Sequence, residues 1–261
     1  DELNDCRDQY FQNGAFVLDS VGNVSFTPLS ESPESTSFPY LLTSSASNKT
    51  VDTRFSITNT GDISFQGNGT YGGINSSGNM GGYLSNSVVF SNTGSISFSD
   101  FSGYTGGAIN CPYGGLIFSD INGNITFENN KSSSEGGAIQ LRGNQADMPG
   151  NLTVHNLQGD FIAKGNSSTY GGVLFSISGH LDFSKTGDLI FENNMAQGNS
   201  YSNGGALYSG GVANHMSFVD TGNMVFRGNE APYCGGAIYI DFTLLDENIA
   251  PILFQNTGDI L

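Results

Sequence analysis

Carboxylates and histidines recur at regular places in this sequence, and both side chains can do chemistry. Four aspartates follow a glycine in the same local context, namely Asp62, Asp160, Asp188 and Asp259. Carboxylate oxygens are ligands that Ca²⁺ prefers, and two carboxylates on one face can cleave a glycosidic bond. Asp160 and Asp188 fall at equivalent positions of neighbouring repeats, which permits such a pair. The pattern therefore raises two hypotheses, a calcium site and a polysaccharide lyase or hydrolase.

Other features of the sequence argue against both hypotheses. The position of the four aspartates holds Asn or Ser in other copies, as a turn position would. The glycine-rich nonapeptide that wraps Ca²⁺ in some β-rolls is missing. Three histidines, His155, His180 and His215, have no nucleophile or base spaced to work with them. We therefore expect no catalytic residue, no bound metal and no cofactor, and a protein that is not an enzyme.

The elements that position these residues are repeats of about thirty residues. Each repeat has a Gly-polar-aliphatic-x-Phe block followed by a Gly-Gly pair, and the pairs begin at Gly72, Gly106, Gly136, Gly171, Gly204 and Gly235. Self-similarity at this period is typical of a solenoid, whose repeats bury apolar surface only by stacking. We predict an all-β, right-handed parallel β-helix of about six to seven triangular coils. Residues 1–53 are predicted to form an N-terminal cap with a Ser/Thr/Pro-rich loop insertion on the first coil, and residues 54–261 the repeats, truncated at the C-terminal end.

Alternation within each block predicts two inward columns of side chains that stack from coil to coil. The first column is Val24, Ile63, Ile96, Ile125, Phe161, Leu189 and Met224, and the second is Phe26, Phe65, Phe98, Phe127, Ala163, Phe191 and Phe226. We expect Phe161 to fill the gap that Ala163 leaves. Gly, Asn or Asp two residues beyond each Phe predicts a left-handed turn, and the Asn that follows predicts a hydrogen-bonded ladder.

Charge and cysteine content exclude several classes of partner and of bond. The formal net charge is −16 with only eight Lys and Arg, which argues against nucleic acid and anionic lipid as partners. Cys111 and Cys234 would lie four coils apart, roughly 19 Å at about 4.8 Å per coil, which is too far for a disulfide. We therefore predict no Cys111–Cys234 bond. Reduced thiols and bonds to other chains both stay open for these residues and for Cys6.

One outward position changes from polar to apolar along the chain. It reads Ser25, Ser64, Ser97 and Thr126 in the first coils and then Ile162, Ile190 and Val225. A solvated sheet face is usually polar, so something is expected to cover these three aliphatic residues. Another domain, another copy of the chain or a partner could do so, and so could a loop of this chain. We call Ile162, Ile190 and Val225 the aliphatic stripe.

The two interleaved motifs, Gly-Gly-Ala-(Ile/Leu/Val) and Phe-x-x-Asn, resemble those of the chlamydial polymorphic membrane proteins, from about Val51 to the end of the chain. The first motif is complete in four copies: Gly106, Gly107, Ala108, Ile109; Gly136, Gly137, Ala138, Ile139; Gly204, Gly205, Ala206, Leu207; and Gly235, Gly236, Ala237, Ile238. The second is complete at Phe65 and Asn68, Phe127 and Asn130, Phe191 and Asn194, and Phe226 and Asn229. Val replaces Ala at Val173, Phe101 replaces Asn, and Ala163 replaces Phe.

This resemblance implies the passenger region of an autotransporter adhesin on the bacterial surface. It implies a protein receptor on host cells, possible homo- or hetero-oligomers with related passengers, and binding through the motifs themselves. Attachment to the outer membrane is expected only through a barrel domain outside this sequence. The residues suggest instead that the motifs are mainly structural and that loops and outward faces make the contacts. A purely structural coat or fibre-forming protein is the third hypothesis, beside the adhesin and the polysaccharide enzyme.

Overall fold

The computed structural model describes residues 9–12, 16–28, 40–45, 55–77, 87–143, 150–198, 202–211, 215–241 and 252–261. These residues form 27 strands and no helix, and the strands build three tall sheets and one short sheet. Neighbouring strands are parallel and come from successive repeats, as in Ile125↔Phe161 and Ile139↔Leu174. The predicted all-β parallel β-helix is therefore confirmed.

Each sheet collects one strand from each coil. Sheet 1 contains the strands that follow the turn glycine: β3 (Val24–Phe26), β6 (Ile63–Gln66), β9 (Ile96–Ser99), β13 (Ile125–Glu128), β17 (Phe161–Lys164), β21 (Leu189–Glu192) and β25 (Met224–Arg227). Sheet 2 contains β1 (Gln9–Gln12) and β4 (Tyr40–Ser45), which come before the first Gly-Gly pair, and then the strands at or after each pair: β7 (Gly72–Ser77), β11 (Ile109–Pro112), β15 (Ile139–Arg142), β19 (Leu174–Ile177), β23 (Leu207–Gly210) and β26 (Ile238–Ile240).

The other two sheets close the coil. Sheet 3 contains β2 (Phe16–Asp19), β5 (Phe55–Thr58), β8 (Val88–Thr93), β12 (Leu116–Ile121), β16 (Leu152–Leu157), β20 (His180–Thr186), β24 (His215–Thr221) and β27 (Ile252–Gln255). A corner sheet between sheets 1 and 2 contains four two-residue strands, β10 (Ser102–Gly103), β14 (Lys131–Ser132), β18 (Ser167–Ser168) and β22 (Met195–Ala196).

The height of the stack differs slightly from the six to seven coils predicted. Sheets 2 and 3 have eight strands each and sheet 1 has seven. Strands β1 to β4 precede residue 53; β2, β3 and β4 pair with strands of the repeats, and β1 pairs with β4. The division of the chain at residue 53 stays a prediction, as does the right hand of the coil, and most of the Ser/Thr/Pro-rich segment 27–53 lies outside the described residues.

The core lies inside the coil and follows the predicted inward columns. Phe65, Phe98 and Phe127 have no solvent-exposed surface, and their rings stack at 4.5 Å and 5.1 Å between centroids. At Ala163 the stack continues through Phe161, whose centroid lies 5.8 Å from both Phe127 and Phe191. The prediction that Phe161 fills the gap is confirmed. Offset or tilted ring pairs at such distances stabilise a core beyond the burial of their area.

The left-handed turn after sheet 1 is confirmed in five of its six predicted copies. A positive φ occurs at Asp100 (60°), Asn129 (55°), Gly165 (65°), Asn193 (55°) and Gly228 (62°). Gly67 departs from the prediction, because the positive φ of that coil lies two residues later at Gly69 (80°). The coil that contains Gly67 has no strand in the corner sheet, so the chain takes a different path around that corner.

Candidate functional site

The motif residues are mostly buried inside the coil. Phe65, Phe127, Phe191, Ala108, Ala138, Ala206, Ile109 and Ile139 have no exposed surface, and Leu207 has 1 %. In the last copy Phe226, Asn229, Ala237 and Ile238 are half-buried, and Gly236 is exposed. A partner on the outside of the coil cannot touch the buried side chains. A role of the motifs in adhesion stays a prediction, and their burial makes such a role indirect.

The two glycines of each Gly-Gly pair are required for different reasons. In the five pairs from Gly106 onward the first adopts a positive φ, for example 61° at Gly136, where a side chain is strained. The second lies against the next coil, so that a Cβ on Gly137 would overlap the carbonyl oxygen of Gly172. The pair therefore lets the chain turn a corner while the coils approach closely.

The predicted asparagine ladder is confirmed at four levels. Asn130, Asn166, Asn194 and Asn229 follow one another, and each accepts through Oδ1 from the backbone N–H of the ladder position one coil earlier, at 3.0–3.2 Å. Each also donates from Nδ2 to a sheet 1 carbonyl of that coil, as Asn166 does to Phe127 at 3.0 Å. Asn68 lies outside the ladder, since it is exposed and bonds to Thr70.

The aspartates that could have held a metal form a second ladder, at the turn before sheet 1. Oδ1 of Asp160 accepts from the backbone N–H of Asp188 at 2.8 Å, and Oδ1 of Asp188 accepts from Asn223 at 2.7 Å. A Cβ on the turn glycine of the following coil would meet this oxygen, as Gly222 would meet Asp188 Oδ1. This contact explains why glycine precedes the polar residue in each repeat. In the part of the chain that the structure describes, no group of three His, Cys, Asp or Glu is placed to hold a metal.

Outward positions of sheet 1 carry a charged column and the aliphatic stripe. Glu192 pairs with Lys164 of the preceding coil at 3.0 Å and with Arg227 of the next at 3.2 Å. The hydrogen bond from Lys164 and, more weakly, the charge of Arg227 lower the pKa of Glu192. Ile162, Ile190 and Val225 are in register on neighbouring strands and half-buried, with Thr126 one strand before them. The stripe is thus a continuous, partly open apolar strip.

Sheet 2 carries an outward aromatic cluster that the sequence reasoning missed. Phe175, Tyr208 and Tyr239 occupy one column, with ring centroids 4.7 Å and 5.2 Å apart. Tyr170, from the residue before the Gly-Gly pair, stands at 70° to Tyr208 with 6.1 Å between centroids. We call these four residues the aromatic patch. The signal was the residue directly after each Gly-Gly-(Ala/Val)-(Ile/Leu) motif, which is polar in the early copies and aromatic in the last three.

Two of the three histidines come together on the outside of sheet 3. His180 and His215 are in register, with ring centroids 4.0 Å apart. Nε2 of His215 and Oγ of Ser217 both lie within hydrogen-bond distance of Asp182 Oδ1, at 2.9 Å and 2.6 Å. Burial lowers the pKa of His180, and the neighbouring His215 lowers it further. In a catalytic triad the hydroxyl bonds to the imidazole, and the imidazole bonds to the carboxylate. Here the imidazole of His215 and the hydroxyl of Ser217 both bond to Asp182, so the group is not arranged as a triad.

The cysteines fit the prediction of no Cys111–Cys234 bond. Both side chains are reduced thiols, Cys111 buried on sheet 2 and Cys234 exposed before the last Gly-Gly pair. Burial raises the pKa of Cys111 to about 12. Cys6 lies outside the described residues.

Comparison with known proteins identifies the repeat. A family model, the Chlamydia polymorphic membrane protein repeat, matches residues 124–142, 188–210 and 223–241. These are the three copies in which both motifs are complete, and the intervening copy, with Ala163 and Val173, is not matched. No curated protein and no solved structure matches the chain significantly. Within the described residues, helices of membrane-spanning length and hydrophobicity are absent.

Proposed function

We propose that this chain, which carries the repeat of the chlamydial polymorphic membrane proteins, is a surface-displayed adhesin passenger that attaches to a protein receptor on host cells. The repeat and the parallel β-helix fit an autotransporter passenger. The observation that carries the proposal is the coincidence of the matched repeats with one continuous stack. The stack keeps the motif side chains inside and presents outward columns that differ from coil to coil, as a binding surface requires.

Attachment of labelled protein to cultured epithelial cells tests this proposal. We expect saturable attachment that unlabelled protein competes for, and attachment should fall when residues 29–39 or 242–251, which lie between the described strands, are deleted if those segments contact the receptor. A variant of an outward residue provides the folding control, since its circular dichroism and melting should match those of the wild type. Failure of the folded wild-type chain to attach above a charge-matched unrelated protein would contradict the proposal.

Self-association through the aliphatic stripe is a second proposal, supported by the register and partial exposure of Ile162, Ile190 and Val225. Ile190→Lys places a charge in the middle of the stripe and should reduce concentration-dependent assembly in sedimentation experiments. Thr126→Lys is the matched control, because it adds the same charge in the same column two coils away. Equal assembly by Ile190→Lys and wild type would exclude the stripe as the contact.

We propose no enzymatic activity. The aspartates that could have formed a catalytic pair accept backbone hydrogen bonds in the turn ladder. Incubation with a panel of acidic and neutral polysaccharides should release no reducing ends or unsaturated products. Release of either would favour the polysaccharide enzyme over the adhesin.

A further inference from the structure

We propose that Tyr170, Tyr208, Tyr239 and Asp241 form a docking site for a lysine or arginine side chain of a partner protein. The inference rests on the proposed adhesin function, which it deepens by giving the receptor segment a basic character. It is carried by the geometry of the aromatic patch and by the charges beside it.

The protein already contains a complete version of such a contact at the other end of the patch. The guanidinium carbon of Arg142 lies 6.0 Å from the ring centroid of Phe175, within the range of a cation–π interaction. The same guanidinium forms an ion pair with Glu135. A cation, an aromatic ring and a carboxylate thus meet on the outside of sheet 2.

Further along the stack the aromatic rings continue, but the column that holds the cation Arg142 ends in a carboxylate. Arg142 pairs with Ile177, and Ile177 with Gly210, so these three residues form one outward column beside the aromatic column. The backbone N–H of Asp241 bonds to Ser209, which places Asp241 next in that column. Beside Tyr208 the column therefore has a glycine, and beside Tyr239 a carboxylate. Among the described residues, no Lys or Arg pairs with Asp241.

The tyrosine rings of the patch are set at different angles to one another. Tyr170 stands at 70° to Tyr208, and Tyr239 is tilted by 32° from Tyr208. A flat aromatic platform for a sugar is not formed, because Phe175 is 3 % exposed and lies against Tyr208. Phe175 and Tyr239 cover the two faces of Tyr208, so a cation would reach the edge and hydroxyl of Tyr208 and the face of Tyr239 turned away from it.

Local charge favours a cation at this place. Burial raises the pKa of Tyr208 to about 12, and Asp241, the neighbouring tyrosines and Glu135 act in the same direction. The pKa of Tyr239 is also raised, by burial and then by Asp241. The negative charge of these carboxylates disfavours ionisation of the tyrosines, and the same negative charge attracts a positive group. The whole chain has a net charge of −16, with only eight Lys and Arg.

The test uses two fluorescent peptides. One has alternating Gly and Arg, and the other has citrulline, a neutral side chain of the same shape, in place of each Arg. Binding is measured by fluorescence anisotropy at near-physiological salt. We expect the arginine peptide to bind, and Tyr208→Leu and Asp241→Asn each to weaken it about two- to thirtyfold, the range of a single cation–π or charge contact. The citrulline peptide should not bind.

Two matched controls separate this site from general attraction to an acidic protein. Tyr104→Leu removes an exposed tyrosine outside the patch, and Asp220→Asn makes the same change of charge on sheet 3. Both should bind as the wild type does. Equal weakening by Asp220→Asn and Asp241→Asn, or equal binding of the two peptides, would overturn the proposal. If Tyr208→Leu does not fold, Tyr239→Leu and Asp241→Asn decide the question.

Cell attachment separates this inference from the function on which it rests. Reduced attachment of the folded Tyr208→Leu and Asp241→Asn variants supports both. Undiminished attachment of these variants overturns the site as the receptor contact and leaves the adhesin function intact. Attachment absent even in the wild type, with peptide binding as expected, would overturn the adhesin function and leave a cation site whose partner is not a host receptor.

Discussion

Asn166 accepts two hydrogen bonds from Asn130 of the preceding coil, one from its backbone N–H at 3.0 Å and one from Nδ2 at 3.1 Å. Both residues are fully buried, and Asn166 also donates to the carbonyl of Phe127. Replacement of Asn166 by Ala should lower the unfolding free energy by roughly 1–3 kcal/mol for each buried group left unpaired. Asn68→Ala, at the equivalent but exposed position, should cost less than about 1 kcal/mol. Equal losses in urea unfolding would show that the ladder adds nothing.

The gap in the phenylalanine stack gives a prediction about compensation. Ala163→Phe should destabilise the protein by about 1–3 kcal/mol, because Phe161 already occupies the space. The second change Phe161→Ile restores the residue types of the neighbouring coils and should recover most of this loss. Thermal unfolding of the two single variants and the double variant measures the coupling. Additive losses would mean that the two side chains do not compete for one volume.

The Gly-Gly pair predicts a steep difference between two glycines of the same protein. A methyl group at Gly137 would overlap the backbone of the next coil, so Gly137→Ala should cost more than about 3 kcal/mol or abolish cooperative unfolding. Gly115→Ala is the control, because the nearest atom to its Cβ would be Asn151 O at 3.7 Å. That change should alter stability by about 0.5 kcal/mol or less. Circular dichroism at increasing temperature compares the two.

The cysteines should differ sharply in reactivity. The raised pKa of Cys111, about 12, leaves almost no thiolate at pH 8, and the side chain is buried. Iodoacetamide should therefore modify Cys234 in the folded protein and Cys111 only after denaturation. Peptide mapping by mass spectrometry assigns each site separately. Rapid modification of Cys111 under native conditions would show that the coil opens at sheet 2.

Acid should weaken the protein through His180. Its folded-state pKa is lowered from the usual 6.5, so the folded state binds this proton less readily than the unfolded chain. The contribution is fully present above pH 6.5 and is lost as the pH falls from there through the lowered folded-state value. His180→Gln should flatten the decline of the unfolding free energy between pH 7.5 and 5. An unchanged slope would assign the decline to other groups.

The stacked columns could be predicted because a solenoid makes sequence spacing equivalent to spatial position. The period placed Phe65, Phe98 and Phe127 in one stack, and the Asn ladder followed from the same alignment. The reason for the turn glycine could not be read locally, because the Asp188 oxygen that excludes a side chain at Gly222 comes from another coil. The corner sheet was missed since two-residue strands such as β14 show no alternation of polar and apolar residues.

The candidate site was less predictable than the fold. The motifs are the most regular part of the sequence, and they drew attention to buried residues such as Phe127 and Asn130. Three of the four residues of the aromatic patch lie one residue beyond the motif, where each coil differs. Phe175, Tyr208 and Tyr239 contact one another only through the register of β19, β23 and β26, which the sequence does not show directly. The residues that repeat in every copy belong mostly to the buried scaffold, and the residues that differ between copies lie mostly on the surface.

Each ladder asparagine bonds to groups of the preceding coil, so that a later coil completes the polar groups of the one before it. One coil can therefore be deleted or duplicated between two such asparagines, for example from Asn130 to Gly165, without stranding a donor or acceptor. The length of the rod can change in evolution by recombination of whole units, while the surface of each unit diverges independently.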